Sequence, residues 1–139
     1  MKVKVNMNIT LWILAIAFTA CDKTSETSTD QNDITGYWIN RQAHYKSVTF
    51  ERSGALKDNE YCIEIAFDGK FTERKNSGWC GTPPIAYADF EGTWERNDSI
   101  INITVEYWGG WVDYQWKIIA IDNNKLSIIP LVEEYHYSE

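Results

Sequence analysis

From Tyr61 to Leu131 apolar and polar residues alternate in short runs, and a turn signal breaks the alternation about every 8–12 positions. A period of two puts alternate side chains on opposite faces of an extended strand, so the chain reads as antiparallel β-structure. "CIEIAF" places Cys62, Glu64 and Ala66 on one side and Ile63, Ile65 and Phe67 on the other. Asp68-Gly69 then forms a two-residue turn, because such a pair tolerates positive φ, and "KFTERK" returns. "TWERNDSIINITVEYW" reads as a second hairpin around Asn97-Asp98, with Ile101, Ile103, Val105 and Tyr107 on one face. Gly109-Gly110 makes a third turn, after which Val112, Tyr114, Trp116, Ile118 and Ala120 share a face. Asn123-Asn124 leads into "KLSIIPL", where Pro130 has no N–H to give and ends the strand or holds it at an edge. Adding "GYWINRQ", "KSVTFER" and "AYADFEG" brings the total to about eight strands. The expected fold is all-β: an eight-stranded antiparallel up-and-down barrel, whose closure removes exposed edges. A sandwich with crossed connections is the alternative.

The first thirty residues follow other rules. Lys2 and Lys4 give a positive start, Ile9 to Ala20 is apolar, and Asp22 and Lys23 end the run. A membrane-spanning helix needs roughly 20 apolar residues, so this run is too short. A positive start, a short apolar middle and small residues at a cleavage point describe a secretory signal peptide over residues 1–20. "FTAC", with Phe18 where leucine is preferred, resembles the lipobox of bacterial lipoproteins. That resemblance implies a chain that starts at Cys21 and carries acyl chains such as palmitate. One acyl chain binds a membrane only marginally, whereas several hold it permanently. Residues 22–33, "DKTSETSTDQND", contain no aliphatic or aromatic residue and are expected to form a flexible tether. The single folded domain is expected over residues 34–139.

Charge narrows the partners. The chain has 13 basic and 20 acidic residues, a net charge of −7, and loss of Lys2 and Lys4 with a signal peptide makes the remainder more acidic still. Nucleic acid is therefore not an expected partner, since phosphate binding needs clustered Lys or Arg. With Cys21 lipidated, Cys62 and Cys80 remain, and an even pair in an exported chain reads as a disulfide. It would close a loop of roughly 17 residues, worth about 3 kcal/mol.

Two segments, "ITGYWIN" and "FEGTWER", share a glycine, one residue and a tryptophan leading into a strand. Gly36-Tyr37-Trp38 resembles the G-x-W signature that opens the first strand of lipocalins, where the tryptophan plugs the closed end of the barrel. "VDYQW" loosely echoes a second lipocalin motif. In lipocalins an arginine from a third motif packs over that tryptophan, and the C-terminal part of this chain holds no such arginine. With its lipobox, polar tether, "FDGKF" and "DSIINI", the chain resembles the small lipocalin-like lipoproteins of Bacteroidota over residues 34–131. The resemblance implies a lipid-anchored envelope protein whose barrel binds a small apolar or amphipathic molecule; Asp22 and Glu26, close behind Cys21, are candidates for steering it between membranes, and the outer membrane is the expected destination.

No residue set points to catalysis. His44 and His136 have no companion nucleophile, and no metal, phosphate-loop or nucleophile-elbow pattern occurs. Neither an enzyme nor a bound cofactor is expected. Glu73, Glu95 and Glu106 are expected on solvated faces. The aromatic residues are the candidates for binding. In "YWGGW" a turn at Gly109-Gly110 would set Trp108 opposite Trp111 at one end of the barrel, either lining a cavity mouth or only stiffening the hairpin. Tyr107, Tyr114 and Trp116 complete the candidate ligand set, although their bulk would equally fill the barrel. A monomeric ligand carrier is one functional expectation. A protein-interaction or inhibitor module with a filled barrel is the other.

Overall fold

The alternating segments do form strands. A computed structural model describes residues 34–139, and the expected signal peptide (1–20), the expected lipidation site Cys21 and the expected tether (22–33) lie outside the described residues. The strands are β1 (Gly36–His44), β2 (Ser47–Ser53), β3 (Cys62–Ile65), β4 (Lys70–Asn76), β5 (Tyr87–Asn97), β6 (Ile100–Tyr107), β7 (Gly110–Ile121) and β8 (Lys125–Tyr137). They close into one eight-stranded barrel in the order β1-β2-β8-β7-β6-β5-β4-β3, every neighbour antiparallel. Closure excludes the sandwich.

The succession of neighbours is interrupted once. β1 pairs with both β2 and β3, so residues 54–61 must step past β1 to begin β3. This segment lies against the outer wall, where Arg74 anchors it. The Arg74 guanidinium donates to the Lys57 carbonyl at 3.1 Å and to the Asp58 carboxylate at 3.2 Å. It also makes a two-pronged pair with Asp89 on β5, at 2.6 and 2.8 Å.

One end of the barrel is filled. Ile34 and Trp38 are fully buried, and the Trp38 indole N–H donates to the Ile34 carbonyl at 2.8 Å. The Arg52 guanidinium lies 4.2 Å from the Trp38 ring centroid and donates to the Thr35 carbonyl at 2.7 Å. The arginine over the tryptophan thus comes from β2. Above this plug, Trp116 packs between Phe50 (6.2 Å between centroids) and Phe71 (6.1 Å).

Several turns differ from expectation by one position. The β3–β4 turn runs through Phe67, with Ala66 accepting from Gly69 and Gly69 at φ +85°. Phe67 therefore stands 79% exposed at the tip and does not share the buried face of Ile63 and Ile65. Asn97 pairs with Ile100, so Asp98-Ser99 forms the next turn, with Asp98 at φ +57°. Tyr107 pairs with Gly110, so the third turn is Trp108-Gly109 and not Gly109-Gly110. Asn123-Asn124 is a turn as expected; Asp122 caps it by accepting from the N–H groups of Asn124 and Lys125, both at 2.8 Å. Pro130 does not end β8. It sits at a register shift where β2 no longer pairs with β8, so its missing N–H goes unused.

"AYADFEG" and "TWER" are one strand. Upstream of Gly92, β5 pairs only with β4; downstream, it pairs with β6. At this handover backbone lies against backbone: a Cβ on Gly92 would lie 2.2 Å from the Thr104 carbonyl oxygen and 2.6 Å from Val105 Cα. Gly78 has nothing within 4 Å of such a Cβ. Gly92→Ala should therefore destabilise the fold by about 1–3 kcal/mol, as overpacking does, while Gly78→Ala should stay within about 0.5 kcal/mol. Denaturant midpoints of the two variants check this.

Candidate functional site

The barrel is open at the end opposite Trp38. There a cup of about 410 Å³ is lined by Val48, Phe50, Trp116 and Ile128 on its apolar side and by Tyr61, Glu73, Lys75 and Tyr114 on its polar side. Arg41, Glu133 and Tyr135 stand at the rim. The lower barrel is packed, so the cup is shallow.

Its chemical centre is Glu73, which is only 2% exposed. This corrects its expected place on a solvated face; Glu95 and Glu106 are exposed as expected. The pattern "KFTERK" carried the signal, because a period of two puts Glu73 and Lys75 on the same face as the core residue Phe71. The Glu73 carboxylate accepts from the Tyr61 hydroxyl at 2.6 Å and from Lys75 Nζ at 2.5 Å. The Tyr114 hydroxyl lies 3.4 Å from both of its oxygens. A buried carboxylate needs this satisfaction, since an unpaired charge in the interior is costly. The long Tyr114 contacts leave acceptor capacity that a ligand donor can use.

The phenols respond to this setting. Burial, and then the adjacent Glu73 charge, pushes both Tyr61 and Tyr114 well above the usual phenol range. Tyr135 donates to Glu133 at 2.6 Å; burial and this partner push it up to about 12.

The five candidate aromatic residues do not form one site. Tyr114 and Trp116 line the cup, whereas Tyr107, Trp108 and Trp111 line a separate cleft of about 710 Å³ on the outer wall. Trp108 is not opposite Trp111; Glu106 is. Trp108 lies in the turn, half exposed, with its ring edge-on to Tyr107 at 5.6 Å. Trp111 stacks on His136 at 5.0 Å, and His136 Nε2 is held by Asp113 at 2.9 Å, so that histidine is half-buried and partnered.

The expected disulfide is absent. Cys62 is buried beneath the 54–61 segment, its sulfur facing the Lys57 and Glu60 carbonyls at 3.6 and 3.7 Å, while Cys80 is exposed in the β4–β5 connection. Even parity did not translate into pairing: one thiol is buried and the other exposed, and both are free. Burial pushes the Cys62 thiol up, and hydrogen bonds from Thr82 pull Cys80 down. No protein-family model, curated protein or solved structure matches this chain.

Two outcomes follow from these environments. Iodoacetamide at neutral pH should label Cys80 quickly and Cys62 only as the protein unfolds, because the thiolate is the reactive form and must be reachable; peptide mass mapping reads both. Alkaline pH should also destabilise the fold. The folded state keeps Tyr61, Tyr114 and Tyr135 protonated where the unfolded chain ionises them near pH 10. Their contribution is complete below that pH and is lost as pH rises, for Tyr135 between about 10 and 12. Denaturant midpoints should fall more steeply above pH 10 in the wild-type protein than in Tyr114→Phe.

Proposed function

We propose that this chain is a lipid-anchored envelope lipoprotein whose lipocalin-like barrel holds a small amphipathic molecule in its open end. The cup carries this reading. Its volume of about 410 Å³ falls in the lower part of the range of roughly 300–1,000 Å³ typical of small-molecule sites. The apolar wall of Val48, Phe50, Trp116 and Ile128 suits a compact hydrocarbon or aromatic portion. The opposite wall offers Glu73 as acceptor and Lys75 and Arg41 as cationic donors. A wholly apolar ligand would cover these groups without replacing their water, so a ligand with one polar end is favoured. The closed end, with its G-x-W tryptophan beneath an arginine, supports the lipocalin-like comparison. The lipobox-like "FTAC" and the polar segment after it support export and anchoring at Cys21.

A protein-interaction role is the second reading. It draws on the far part of β8, residues 131–137, which pairs only with β7 and exposes Leu131, Val132, Tyr135 and Tyr137.

Native mass spectrometry of the protein isolated gently from its own host, and binding of N-phenyl-1-naphthylamine, test the cup. A copurified small molecule is expected, with probe binding abolished when Val48→Trp fills the cup and circular dichroism shows the barrel intact. If the wild-type protein carries nothing and binds no probe, or if Val48→Trp still binds it, the ligand-carrier reading fails and protein interaction takes its place.

A further inference from the structure

We propose that the outer cleft beside the β6–β7 turn is a second, independent binding site, for a small organic ammonium ion. The cleft exists because two strands diverge. Pairing between β5 and β6 stops at Gly92–Val105, so residues 87–91 of β5 separate from the tip of the β6–β7 hairpin. The opening encloses about 710 Å³. The indoles of Trp108 and Trp111 line it and remain 51% and 42% exposed. Tyr107 supports the first and His136 the second, so neither ring hangs free. Glu91 lines the β5 side, and Glu106 stands directly across the ladder from Trp111. Among the described residues, no Lys, Arg or His lines the cleft. Asp113 and Glu134, paired on the adjoining strands, add negative charge beside it.

Exposed indoles next to carboxylates suit one ligand class above others. An ammonium ion is attracted by the ring quadrupole and by the carboxylate field together. An anion is repelled. A hard metal ion wants six or more oxygen ligands, and indole faces supply none. An alkylated ammonium loses little hydration on leaving water and places its methyl groups on the rings.

The test uses choline and its neutral isostere 3,3-dimethylbutan-1-ol, followed by the indole N–H resonances of the purified protein. Choline should shift the Trp108 and Trp111 signals and leave that of the buried Trp38 in place. The isostere should bind more weakly. Trp108→Ala should raise the choline dissociation constant about two- to fivefold, as loss of one exposed cation–π contact implies. Glu91→Gln combined with Glu106→Gln should also weaken it and reduce its dependence on salt. An unchanged N-phenyl-1-naphthylamine affinity at the cup shows that each variant is folded and that the two sites are separate. The proposal is overturned if choline moves neither indole, if the isostere binds as tightly, or if the carboxylate pair can be neutralised without effect.

Discussion

The filled end of the barrel sets the terms for the rest of the structure. Trp38 is completely enclosed, which is tolerable only because its indole N–H reaches the Ile34 carbonyl at 2.8 Å. Arg52 covers the ring from above and ties back to Thr35, so the chain entering β1 is fastened where it meets the plug. β1 then pairs on both edges and closes the sheet. With that end sealed, and with Phe50, Phe71 and Trp116 stacked above it, the space left inside collects at the other end as the cup.

That cup departs from a simple apolar pocket. A buried ion pair such as Glu73–Lys75 is a weak device for stability, because desolvating two charges consumes most of what their attraction returns. Two tyrosine hydroxyls are also spent on the same carboxylate. An all-apolar layer would serve the core as well, so the cluster supports the proposal of a ligand with one polar end. The outer cleft has a different origin, in strand geometry. Pairing of β5 with β6 ends at Gly92, and the hairpin tip beside the gap presents the indoles of Trp108 and Trp111 with Gly109 and Gly110 between them.

The strands were legible because burial on one face imposes a period of two, and the eight-stranded closed barrel follows from their number and their short turns. The turn at Asn123-Asn124 was legible from its residues. Those at Asp98-Ser99 and Trp108-Gly109 lay one position away from the expected pairs. Gly110 shows why. Its φ is +150°, and a Cβ there would lie 2.0 Å from the His136 carbonyl oxygen, so this glycine answers to the approach of β8 and not to the turn it adjoins. No local pattern announces a neighbour 26 positions away along the chain.

The same division separates the two candidate sites. Residue types and their alternation determined which side chains are aromatic, which are charged and which faces turn inward, so Tyr114 and Trp116 were recognisable as interior and Glu73 could have been. Only the tertiary structure decided that Trp108 and Trp111 belong to an outer cleft, that Arg52 covers Trp38, and that Cys62 lies sealed under a crossing segment away from Cys80. The physical reason is range. Alternation is a property of neighbouring residues, whereas the meeting of β1 with β3, the handover of β5 from β4 to β6 and the path of residues 54–61 arise from closing one sheet around one core.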